Sequence, residues 1–192
     1  MAIPKNTQIP QGQSQFMKWK LGDNNFRVLS DIITGWEGWK DKKPFRRAGD
    51  VCNIKVEEVD LDKGGKPSRK YFWAMAVWNY DTKQVQVLEI TQSSIMNTLF
   101  NLENNGKWGD LKNYDITVTK KGDGLDTEYN TVPNPHEALS EEILKAYKDS
   151  NVDLNKLFDE EYPMGEDTGH SPHGTITEED IEEMNPNDIP FN

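Results

Sequence analysis

From residue 15 onward, apolar and polar positions repeat with a period close to two over much of the chain, the pattern of strands that bury one face. Phe26, Val28 and Leu29 mark a short strand, and Asp31, Ile32, Ile33, Thr34 and Gly35 turn out of it. Residues 51–59 alternate in the manner of a half-exposed strand. Residues 62–67, Asp-Lys-Gly-Gly-Lys-Pro, form a turn in which two glycines can take positive φ. The strongest strand spans residues 70–80, rich in aromatics and nearly free of charge, which predicts burial on both faces in mid-sheet. A turn at 81–83 sends the chain back through 84–90, so the pair reads as a hairpin.

The period changes at 92–105, where Ile95, Leu99 and Leu102 fall at i, i+4 and i+7 and predict an amphipathic helix. Residues 114–119 and 127–132 predict two more strands around a turn at 120–124. Asn134, Pro135 and Glu137 have the order of an N-cap, a first-turn proline and a capping-box acid, and predict a second helix with Leu139, Ile143, Leu144 and Tyr147 on its apolar side. Leu154, Leu157 and Phe158 predict a further helical turn. Five or six strands with a helix before the last pair make the chain mainly β, compatible with an OB-fold-like barrel with one or two helices. The organisation expected is a flexible arm at 1–14, rich in Gln, Pro and Gly, an OB-fold-like domain at 15–162, and an acidic disordered tail at 163–192.

Charge sharpens that division. The net charge of -11 is unevenly spread: residues 1–135 carry 19 basic and 17 acidic side chains, whereas residues 136–192 carry 3 and 16. Such asymmetry is the pattern of a binding domain with an interaction tail, although a solvated acidic surface produces the same numbers. No apolar run approaches the roughly 18–20 residues of a membrane span. The N-terminus shows no secretory h-region, so a cytoplasmic location and no membrane partner are expected. With Cys52 alone there is no internal disulfide.

The candidate chemistry lies in aromatic rings interleaved with cations: Trp36, Trp39, Lys40, Lys42, Lys43, Phe45, Arg46, Arg47, then Arg69, Lys70, Tyr71, then Lys107 and Trp108. Every base has a π-face, so such rings bind single strands with little sequence preference while Lys and Arg neutralise phosphates. A duplex reader needs a basic recognition helix, and none is evident. Phe72, Trp73 and Trp78 read as core, whereas Trp36, Trp39 and Trp108, set among Gly and charges, read as surface. At the far end Asp188, Ile189, Pro190 and Phe191 form a small hydrophobic hook behind a run of acids, suited to a pocket rimmed by cations on a partner protein.

That ending resembles the tip of bacterial single-stranded DNA-binding proteins, which close an acidic stretch with Asp-Ile-Pro-Phe. The body resembles bacteriophage single-stranded DNA-binding proteins of the OB-fold type over residues 15–160, on the Trp36/Trp39 and Lys43-Pro44-Phe45-Arg46 block, the Tyr71-Phe72-Trp73 strand and the helix after Ile90. The resemblance implies DNA coating in phage replication, recombination or repair, within the host cytoplasm, with replication or recombination proteins recruited by the tip. The chain departs from the bacterial pattern in carrying Asn192 after Phe191, which shifts the terminal carboxylate.

One cysteine and three histidines do not furnish the four ligands of a zinc site, so no metal and no cofactor are expected. Nucleophile-elbow, P-loop and metalloprotease motifs are absent, and a non-catalytic protein is expected. Two other readings stay open: an acidic interaction adaptor or DNA mimic, and a β-domain that binds carbohydrate or peptide through exposed tryptophans.

Overall fold

The structure is a computed structural model that describes residues 14–165. The arm expected at 1–14, apart from Ser14, and the tail beyond Gly165, including the Asp188–Phe191 hook, lie outside the described residues. The described residues are mainly β, with seven antiparallel strands in one sheet and two α-helices. In order these are β1 (Gly22–Val28), β2 (Ile33–Lys40), β3 (Lys43–Ala48), β4 (Arg69–Asn79), β5 (Gln84–Ile90), α1 (Ser93–Glu103), β6 (Tyr114–Lys121), β7 (Glu128–His136) and α2 (Glu141–Ser150). No helix among the described residues is long and apolar enough to cross a membrane.

β4 is the axis of the sheet. Its C-terminal half pairs with β1 and its N-terminal half with β2, both on one edge, while β5 pairs along the other. Val28 lies opposite Val77 and Ile33 opposite Ala74, so residues 29–32 bulge without reversing the chain. The bulge is pinned where Leu29 N–H donates to the Ala76 carbonyl and Ala76 N–H donates to Ser30 Oγ, each at 2.9 Å. β1 continues the sheet through β6 to β7, and β2 continues it to β3. The open edge of β5 takes up residues 15–17 by a parallel bridge at Phe16 and Val87. Among the described residues no ladder joins β5 to β7 to close a barrel, and α1 lies against β7.

The seven strands exceed the five or six expected because residues 33–48, read as a turn and an aromatic-basic stretch, form the β2–β3 hairpin. Two further expectations are corrected. Residues 51–59 are not a strand: they form an irregular segment with a 3-10 turn at Val56–Glu58, drawn in where Arg47 and the Lys55 N–H both donate to Glu58. Ile54 and Val59 are buried whereas Val51 and Val56 are exposed, so burial there does not follow a period of two. Nor does Asn134 open a helix: β7 runs on to His136, which pairs with Tyr114 past an irregularity in the ladder. Pro133 and Pro135 are tolerated there because β7 is an edge strand with one side free of ladder bonds. α2 starts one turn later, capped by Ser140, whose Oγ accepts from the Ile143 N–H.

Residues 74–79 of β4 are buried on both faces, as the composition predicts, whereas Arg69, Lys70, Tyr71 and Trp73 are only half-buried. Met75 and Val77 point into the main core with Phe26, Val28, Leu88, Ile90, Ile116 and the α1 residues Ile95, Met96 and Leu99. Phe72, Ala74, Ala76 and Trp78 face the opposite way and are covered by α2 through Ile143 and by the 3-10 helix Leu154–Asp159 through Leu154 and Leu157. Met164 packs on this second layer, and Gln15 bonds both to its N–H and to the Gly165 carbonyl. Arg27 is the largest fully buried side chain: it donates to Asp115 at 2.6 Å and to the Glu137 carbonyl at 2.9 Å, while the Tyr80 hydroxyl donates to the same Asp115 oxygen.

Candidate nucleic-acid interface

Register divides the aromatic and basic residues between two faces of the β3-β2-β4 ribbon. Trp36 lies opposite Arg47 on β3 and Tyr71 on β4, Gly38 opposite Phe45 and Arg69, Lys40 opposite Lys43, and Thr34 opposite Trp73. Directly paired residues share a face, so Trp36, Lys40, Lys43, Phe45, Arg47, Arg69, Tyr71 and Trp73 are brought together. Trp36 and Tyr71 meet with ring centroids 5.4 Å apart at 54°, and the Arg47 guanidinium lies 5.5 Å from the Phe45 ring. Trp36, Tyr71 and Trp73 are half-buried, the last two packed in part against the main core.

Trp39, Arg46 and Lys70 are turned to the other face, where Glu37 is also found. Arg46, only 7% exposed, pairs with Glu37 at 2.7 Å and with Glu89 of β5 at 2.9 Å, and so ties the hairpin to the body of the sheet. Burial pushes the Glu37 carboxyl up to about 7, against the pull of Arg46. Lys70 Nζ sits 5.9 Å from the Trp39 ring, and the buried Trp39 Nε1 has no partner. Lys42 is exposed in the β2–β3 turn at φ 61°. Lys107 is exposed in the loop after α1, while Trp108 stacks on His136 at 5.6 Å and meets Tyr114 edge-on at 5.3 Å. No ring contact joins Trp108 to the Trp36–Tyr71 pair among the described residues.

Residues 49–60 border the shared face. Arg47 makes a two-pronged ion pair with Glu58 at 2.6 and 3.0 Å, which holds the Glu58 carboxyl down at about 2. Arg69 donates to the Ile54 carbonyl, and Lys40 lies 3.7 Å from Asp60. Val59 and the Phe45 ring lie against Gly38, where a Cβ would come within 2.8 Å of Val59 and 2.9 Å of Phe45, so only glycine admits this closure. Asp50 sits at the aromatic pair itself: Thr34 Oγ1 and the Tyr71 hydroxyl donate to Oδ1 at 2.8 and 2.9 Å, and Trp36 Nε1 donates to its main-chain carbonyl at 3.2 Å. Those hydroxyls, Thr34 first, lower the Asp50 pKa and keep it ionised.

Beyond Trp73 the face opens into a cleft of about 220 Å³ walled by Val28, Ile32, Leu99, Phe100 and Leu111, with the Lys112–Asp31 ion pair at 2.7 Å beside it. Phe100 is 59% exposed, while the buried Trp73 Nε1 has no hydrogen-bond partner among the described residues. Sequence reasoning passes over Asp50 and assigns Trp73 to the core, against which it packs while staying half-buried. For Trp73 the signal was present, since period two places it on the same face as Tyr71; for Asp50 none was, because it reaches the site through a loop. Among the described residues no group of three His, Cys, Asp or Glu side chains converges as metal ligands. No protein-family model matches this chain, and neither does any curated protein.

Proposed function

We propose that this protein binds single-stranded DNA without sequence-specific duplex readout and without catalysis, as a replication, recombination or repair factor. The observation that carries this reading is the grouping of Trp36, Tyr71 and Trp73 on one face of the β2–β4 pair, edged by Lys40, Lys43, Arg47 and Arg69. Half-buried rings held by a rigid ladder offer stacking surface to successive bases, and cations at the margin meet the backbone phosphates. The strand order supports an OB-fold-like body: β1 and β2 act as one long kinked strand against β4 and β6, β4 and β5 form a hairpin, and α1 precedes the β6–β7 hairpin. The acidic tail and its Asp188–Phe191 hook then serve to recruit partner proteins, the role suggested by their likeness to bacterial tips.

The test is titration with oligo-dT, read by tryptophan fluorescence and by gel shift, over a range of salt and against duplex of equal length. The expected result is quenching, preference for the single strand and a steep salt dependence. Binding to neither nucleic acid overturns the proposal and favours an interaction adaptor.

A further inference from the structure

We propose that Asp50 reads the edge of a base stacked on the Trp36–Tyr71 pair, favouring cytosine through its exocyclic amine and disfavouring thymine. This rests on the single-strand reading above and adds a base preference to it. An ionised carboxylate is out of place on a face meant for phosphates, yet the structure takes care to hold it there. Three neighbours fix it: the Thr34 and Tyr71 hydroxyls on Oδ1, and the Trp36 indole on the main-chain carbonyl. No Lys or Arg pairs with it among the described residues, although Arg47, one ladder position from Trp36, is engaged by Glu58 instead. Both hydroxyls converge on Oδ1, and among the described residues no hydrogen bond reaches Oδ2 of this exposed residue.

An acceptor in that position distinguishes the pyrimidines. Cytosine offers the N4 amine as donor, whereas thymine offers a carbonyl at the equivalent position and a methyl group beside it. A base lying on Trp36 or Tyr71 with that edge toward Asp50 gains a charge-assisted hydrogen bond if it is cytosine and meets like polarity if it is thymine. Phosphate contacts at the margin are the same for both, so the effect belongs to the base alone.

The test compares oligo-dC with oligo-dT of equal length, in mildly alkaline buffer, for the full chain and for Asp50→Asn. The asparagine carbonyl still accepts from Thr34 and Tyr71, so the loop keeps its anchor, while the other position becomes a donor; equal melting temperatures check this. The full chain should favour dC by roughly fivefold, and Asp50→Asn should abolish or invert that ratio. Equal affinity for the two oligonucleotides, or a ratio unchanged by the substitution, overturns the assignment to Asp50 and leaves the single-strand reading standing. Failure to bind either oligonucleotide overturns both.

Discussion

Trp36 and Tyr71 face one another across the β2–β4 ladder, with ring centroids 5.4 Å apart, and each also bonds to Asp50. Because the two rings form one surface, their contributions to ligand binding are coupled. Trp36→Ala and Tyr71→Ala should each weaken oligo-dT binding by about 1–3 kcal/mol. The double variant should depart from the sum, as residues in contact do, and lose less, because either single loss already breaks up the shared surface. Trp39→Phe, on the opposite face, should leave affinity unchanged. Fluorescence titration of the four variants measures all of these outcomes.

Lys40 and Lys43 lie opposite each other at the end of the β2–β3 hairpin, both exposed. If each neutralises a phosphate, replacing either with alanine should lower the slope of log affinity against log salt by about 0.7. The double replacement should lower it by about twice that. A slope unaffected by both places the phosphate path elsewhere.

Glu37 supplies a pH dependence whose sign follows from its burial. Its folded-state pKa of about 7 lies above the ordinary 4.5, so the folded protein holds a proton that the unfolded chain has released. The associated stability is present below the ordinary carboxyl range and is lost as pH rises through about 7. Glu37→Gln should therefore flatten this decline, gaining on the parent as pH rises from the ordinary carboxyl range through about 7. Denaturant unfolding at several pH values checks it, and parallel pH profiles for the two proteins would contradict it.

Arg27, 1% exposed, is satisfied by Asp115 and by the Glu137 carbonyl. Arg27→Ala leaves Asp115 in the interface between β1, β6 and the chain after β7 with only the Tyr80 hydroxyl. Breaking a buried pair from one side should cost about 3–5 kcal/mol in chemical denaturation.

Ser140 marks where α2 begins. Ser140→Ala should cost about 1 kcal/mol through the lost bond to the Ile143 N–H. The same measurement bears on the corrected helix start, since a helix opening at Asn134 would leave Ser140 inside it and make the substitution neutral or stabilising.

Local pattern alone established much of this protein. The β4–β5 hairpin, the α1 helix, the β6 strand and the helical turn at Leu154–Asp159 were legible because each rests on periodicity within a few neighbouring residues. The aromatic-basic composition likewise pointed to residues 36–47 and 69–71 as the place where chemistry is concentrated. What the chain's order could not convey was which side each residue would take. Once residues 33–48 are strands, period two alone sets Trp36 apart from Trp39 and Arg47 apart from Arg46, but only the pairing of β2 with β3 and β4 puts Trp36, Arg47 and Tyr71 on one face. Likewise, the end of β7 was decided by Tyr114 opposite His136, more than twenty residues away in sequence, overriding a plausible helix cap. Asp50, Glu58 and Glu89 reach the basic residues from a loop and from another strand. Backbone propensity is a property of neighbours in sequence, whereas the character of a binding face depends on which distant charges folding brings beside it.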